Sequence, residues 1–130
     1  ITGTGTVLTD DPQLTVRGHD RQPLRVVVGS RAISPTAAVH PALVLDREPA
    51  QVLAHLWHEL GIHRVLLEAG RGLSTSFWAA DLVDEVYWFT APTVFGSGTP
   101  VLGVLPQTRQ FRDVAASRVG LDVLVTFRTR

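Results

Sequence analysis

The sequence predicts an α/β protein with a mixed sheet whose last strands are antiparallel. Three observations carry that prediction. Val26, Val27 and Val28 form an unbroken apolar run, as in a strand covered on both faces. The period of apolar residues then changes to helical across 49–60. Finally, two strand-like stretches, 111–119 and 121–128, meet at Gly120, which suits a tight antiparallel turn.

Taken in order, residues 1–8 alternate threonine and glycine with apolar residues. They read as a short strand entering a loop at 9–13 that Pro12 stiffens. Residues 25–29 are a buried strand, and 42–45 a shorter one. Across 49–60, Val52, Leu53, Leu56, Trp57 and Leu60 share one helical face, with Pro49 at the start and Gly61 at the stop. Residues 63–68 read as another buried strand, and 73–80 as a second helix carrying Phe77 and Trp78. Residues 85–91 form a strand that Pro92 ends, and the glycine- and proline-rich 93–107 is a long loop. No internal repeat or linker interrupts the 130 residues, so one domain, 1–130, is expected.

Composition narrows the function. Hydrophobic residues make up 45% and charged residues 18%, which suits a folded core. The formal net charge is zero, so no general attraction draws the chain to nucleic acid or an anionic membrane. No apolar run approaches the roughly 20 residues of a membrane span. All basic residues are arginine, which removes Schiff-base lysines and the lysine of a phosphate-binding loop. Cysteine is absent, so neither a disulfide framework nor a thiolate metal site can form, in keeping with a reducing compartment. His55, His58 and His63 lack a completing ligand set, and His55 and His58, three apart on the helix, read as surface histidines; no metal is expected.

Three stretches could carry chemistry. In VLLEAGRGLSTSF, a strand ends at Glu68, a Gly-x-Gly turn follows, and a helix begins. Glycines permit close backbone approach, and the amides of a helix start attract phosphate. Ser74, Thr75 and Ser76 could add hydroxyl donors, although an ordinary glycine turn reads the same way. Glu68 stands where open α/β sheets bind ligands, or it merely caps a helix. In TDDPQLTVR, adjacent Asp10 and Asp11 point different ways, so one can meet a ligand while the other holds the turn; Arg17 follows within reach of an anion. In VGSR, Ser30 and Arg31 leave a buried strand and could hold an anion such as a 2′-phosphate.

In this order, GTVLTDDPQLTVR, PLRVVVGS, LLEAGRGLSTSF and LVDEVYWFTAPTVFGSG resemble the reductase domain of bacterial riboflavin biosynthesis. The resemblance covers residues 5–98 well and the closing strands less. It implies a dihydrofolate-reductase-like, three-layer α/β/α fold. It also implies NADPH-dependent reduction of the ribosyl group of 5-amino-6-(5-phosphoribosylamino)uracil to a ribityl chain, in a cytoplasmic homodimer. By the same resemblance, Thr6, Asp10, Ser30 and Gly70, Arg71, Gly72, Leu73, Ser74, Thr75 and Ser76 match cofactor positions. Leu14, Arg17 and Glu68 match substrate positions, with Arg17 suited to the 5-phosphate. Glu68 and Asp10 are the candidates for assisting the chemistry. The family domain starts with a further strand and helix before the GTV motif, so the chain is expected to be an N-terminally shortened form with an exposed sheet edge. Two alternatives stand beside this reading: a related reductase of another pterin- or pyrimidine-type substrate, and a catalytically silent domain of the same fold.

Overall fold

The computed structural model describes residues 1–129. The elements are β1 (Thr2–Gly3), α1 (Thr4–Asp10), β2 (Val26–Val28), β3 (Leu43–Leu45), α2 (Pro49–Leu60), α3 (Arg71–Ala79), β4 (Glu85–Thr90), β5 (Arg112–Val119) and β6 (Asp122–Arg128). They form two three-stranded sheets. The first is parallel, in the order β1-β2-β3, and the second antiparallel, in the order β4-β6-β5. The α/β class and the antiparallel closing strands follow the sequence reading.

The valine run explains the first sheet. Side chains alternate across a strand, so Val26 and Val28 face one side and Val27 the other. Val26 and Val28 pack with Leu45, Val52 and Leu56, which joins α2 to the sheet. Val27 packs with Val7 and Val39 on the opposite side, which joins α1. All three valines are buried. The result is helix, sheet, helix in three layers. The ends of α2 are set locally: Pro49 fits the first turn, the Glu48 amide donates to Gln51 Oε1 at 3.2 Å, and the Gly61 amide closes the helix on the Trp57 carbonyl. Trp57 and Leu60 leave the predicted apolar face and are exposed; the Trp57 ring stands edge-on to His63, with centroids 4.4 Å apart.

Two expectations need correction. The first strand is only Thr2–Gly3, and the predicted continuation to residue 8 is the helix α1. Threonine and glycine are weak helix formers, but the helical turn carries Val7 into the Val27–Val39 cluster, and that burial outweighs local propensity. Residues 63–68 are not a buried strand either. The segment pairs with the chain start, since the Ile1 ammonium donates to the Leu66 carbonyl at 2.7 Å and the Glu68 amide to the Ile1 carbonyl at 2.8 Å. Val65 and Leu66 are nonetheless exposed, because among the described residues no element covers them. The helix expected over 73–80 starts earlier, at Arg71, directly after the glycine turn.

Candidate functional site

Three local structures converge near the end of β1. The first is α1 and its exit. The acidic pair separates as its chemistry suggests. Asp11 takes a left-handed conformation (φ 43°), its amide donates to the Val7 carbonyl at 3.1 Å, and its Oδ1 accepts the Ala38 amide at 2.8 Å. Asp11 therefore ties the helix exit to the loop after β2. Asp10 ends α1 exposed, at the pole where the helix dipole disfavours a carboxylate. Its position gives the fold nothing and leaves the carboxylate available.

Beyond Asp11 the chain is strained. Leu14 also has positive φ (50°), which a branched side chain adopts at a cost of order 1 kcal/mol or more. Packing against the Val7–Val27–Val39 cluster holds it there. Arg17 follows, exposed, on a loop that Gln22 clamps. Gln22 Oε1 accepts the Val16 amide at 2.8 Å, and its Nε2 donates to the carbonyls of Val16 at 3.0 Å and His19 at 2.7 Å. One side chain thus fixes the base of the loop that carries Arg17. Sequence reasoning missed this clamp, because a glutamine in a polar loop carries no distinctive signature.

The second structure is the start of α3. Gly70 is the N-cap and brings no side-chain cap. The first-turn amides of the helix therefore remain available as donors. A Cβ on Gly72 would meet open space, so the turn has room beside it. The three hydroxyls do not add donors to this set. Ser74 Oγ donates to the Ala69 carbonyl, Thr75 Oγ1 to that of Arg71 and Ser76 Oγ to that of Gly72. Thr75 Oγ1 also accepts the Gly103 amide at 2.7 Å, which straps the long loop over α3. Leu73 packs against the α2 side of the core, so its role here is to seat the helix.

The third structure joins the first two. The Gly70 amide donates to Thr6 Oγ1 at 3.2 Å, which brings α1 against the turn before α3. Leu73 lies 3.7 Å from where a Cβ on Gly3 would stand, so glycine is what lets β1 approach α3. Glu68, two residues before Gly70, is exposed beside Ile1. Burial lowers the Ile1 ammonium below its ordinary range, and the Glu68 carboxylate partly offsets this. Glu68 thus stands beside Ile1, at the start of β1, and two residues before the Gly70 that meets Thr6. Among the described residues, no hydrogen bond or ion pair links Asp10, Arg17 and Glu68 to one another. Ser30 lies on the loop after β2, exposed, next to Gly29.

The junction of α1 with the start of α3 suits a dinucleotide in the chemistry of its donors. Glycines open the backbone, uncapped amides face a helix start, and Arg71 stands in the first helical turn. No cluster of three or more histidine or acidic side chains suited to a metal occurs among the described residues. No helix there is long and apolar enough to cross a membrane.

The riboflavin biosynthesis protein RibD of Mycobacterium tuberculosis (strain CDC 1551 / Oshkosh) is 34% identical over 147 aligned residues, covering 100% of this chain and 42% of that protein. The 2,5-diamino-6-ribosylamino-4(3H)-pyrimidinone 5′-phosphate reductase of Methanothermobacter thermautotrophicus is 33% identical, covering 74% of this chain and 60% of that one. Among solved structures, Acinetobacter baumannii RibD (form 2) superposes with a TM-score of 0.80 at 25% identity, over 99% of this chain and 46% of the other. The yeast riboflavin biosynthesis reductase Rib7 shares the fold, with a TM-score of 0.80 at 19% identity. The chain thus spans less than half the length of the bacterial relatives just named. A family model described as the RibD C-terminal domain matches residues 1–125, and the chain belongs to that family.

Proposed function

We propose that this domain reduces the ribosyl group of 5-amino-6-(5-phosphoribosylamino)uracil to its ribityl product, with NADPH as the reductant, within riboflavin biosynthesis. The observation that carries the proposal is the Thr6–Gly70 hydrogen bond. It holds the α1 exit, which bears Asp10 and leads to Arg17, against the uncapped start of α3. Family membership and the reductase name of the archaeal relative support the same reading.

Bound NADPH would supply the hydride. The chain's own residues position and select. The first-turn amides of α3 and Arg71 bind pyrophosphate oxygens, Thr6 holds the turn before α3 against α1, and Arg17 receives the substrate 5-phosphate through its planar fork. Glu68, exposed two residues before Gly70, orients a ribose hydroxyl or moves its proton. Holding the reactants in register is the larger part of such catalysis.

The archaeal relative's name favours a second substrate, the 2,5-diamino pyrimidinone phosphate, which differs in its deamination state. Following NADPH absorbance with each pyrimidine in the full-length protein decides between them. Glu68→Gln is expected to lower kcat by at least about 100-fold, and Arg17→Ala to raise KM by about tenfold or more. Unchanged kinetics in both variants would sink the assignment. A wild-type protein that neither binds NADPH nor turns over either pyrimidine would instead favour a silent domain.

The reading also includes a cytoplasmic homodimer. Tyr87 and Phe89 on β4 are 51% and 56% exposed on one face of the second sheet, apolar area that a second copy would cover. Light scattering on the purified protein gives the mass directly; a monomer at micromolar concentration would exclude the dimer.

A further inference from the structure

Residues 15–24 are all exposed, so no core contact gives this stretch its shape. One side chain does. The amide group of Gln22 is turned inward on the loop: Oε1 accepts the Val16 amide at 2.8 Å, and Nε2 donates to the carbonyls of Val16 at 3.0 Å and His19 at 2.7 Å. Both protons of that nitrogen are thereby committed to backbone. The two carbonyls bracket Arg17 and Gly18, and Gly18 takes a left-handed conformation (φ 75°). On the upstream side, Leu14 packs against the Val7–Val27–Val39 cluster. The backbone of Arg17 therefore lies between fixed points at Val16 and His19. Its guanidinium forms no ion pair among the described residues.

The fold gains little from such a clamp. Hydrogen bonds open to water contribute modestly to stability, because water replaces them when they break. What the clamp removes is conformational freedom. A mobile loop must be ordered when its arginine grips a ligand, and that ordering is subtracted from affinity. A loop that is already ordered escapes the loss. The chemistry of the loop says which ligand benefits. Residues 17–21 carry Arg17, His19 and Arg21 against a single carboxylate, Asp20, so the ligand is an anion. A phosphate monoester matches the planar fork of Arg17.

We propose that Gln22 is a positioning residue for the substrate: it holds the backbone on both sides of Arg17 and so keeps the guanidinium preorganised for the substrate phosphate. This rests on the reductase reading above and on the role given there to Arg17. Gln22 itself touches neither substrate nor cofactor, so it governs KM and leaves the chemical step alone.

Steady-state kinetics of the full-length protein with the phosphorylated pyrimidine and NADPH test it. Gln22→Met keeps the length of the side chain, adds no charge and loses all three hydrogen bonds. It should raise KM about three- to tenfold, the scale of ordering one loop side chain, with kcat changed by less than about twofold. Gln22→Ala should behave alike. In an Arg17→Ala background the same substitutions should raise KM no further, because the group that the clamp positions is gone. A merely structural role would give the opposite pattern: a fall in kcat, or the same rise in KM with and without Arg17. Either of those results, or an unchanged KM in Gln22→Met, would overturn the proposal while leaving the reductase reading intact. A wild type that turns over neither pyrimidine would overturn both.

Discussion

The two sheets of this domain are built on different terms. The first, β1-β2-β3, is parallel, has helices on both faces and holds the buried core: Val7, Val26, Val27, Val28, Val39, Leu45, Val52 and Leu56. The second, β4-β6-β5, is a regular antiparallel ladder with almost uninterrupted pairing, yet among the described residues none of its side chains is buried. A chain of ring contacts, Trp78 with Phe111 and Phe111 with Phe127, links α3 to β6. Backbone pairing and burial are thus separable. One half is defined by what its side chains exclude from water, the other by its ladder. The candidate residues belong to the first half and to α3, so they are mounted on the better-packed part.

Four substitutions test that division, and unfolding in denaturant measures each. Leu56→Ala, in the first core, should have the largest effect, a loss of about 3 kcal/mol, since it leaves a cavity between α2 and the sheet. A loss under 1 kcal/mol would mean that this core is less decisive than its burial implies. Gly29→Ala comes next, at about 2 kcal/mol, because any side chain there meets Thr4 and must adopt a φ of 132°. Thr2→Val should change the sign. Thr2 is fully buried and its Oγ1 has no partner among the described residues, so removing the hydroxyl should stabilise the fold by about 1 kcal/mol. Destabilisation instead would show that the hydroxyl is satisfied. Phe89→Ser, on the exposed face of β4, should cost least, within about 0.5 kcal/mol in a monomer. A large loss there would erase the contrast between the sheets, or reveal a partner copy covering that face.

What was legible in the sequence follows the same line. The helix 49–60 was readable to the residue, because its apolar period, its proline start and its glycine stop are all local. The valine run announced a strand covered on both faces, and the closing hairpin was readable from its turn at Gly120 (φ 63°). Residues 4–10 were not readable as a helix. Their composition argues against one, and the deciding contact, Val7 with Val27 and Val39, is distant in sequence. Residues 63–68 failed for the opposite reason. Their apolar pattern is that of a buried strand, but burial depends on what lies over it, which a local pattern does not contain.

The candidate site was legible as residue types and only partly as roles. Of the acidic pair, Asp11 does hold the turn, as one member was expected to. The serine and threonine hydroxyls of α3 looked like phosphate donors, yet their protons are committed to helix carbonyls, a habit of these residues within helices that sequence spacing does not reveal.

The Gln22 clamp has a consequence for how such proteins diversify. Because one side chain binds both backbone groups of Val16, the base of the Arg17 loop is defined independently of how many residues lie between. Length at the tip is therefore a nearly free variable: residues added between His19 and Arg21 would lengthen the tip without breaking the Gln22 clamp, since longer loops cost little extra closure entropy. A descendant could acquire a new reach for this loop by insertion alone, with every core side chain left as it is.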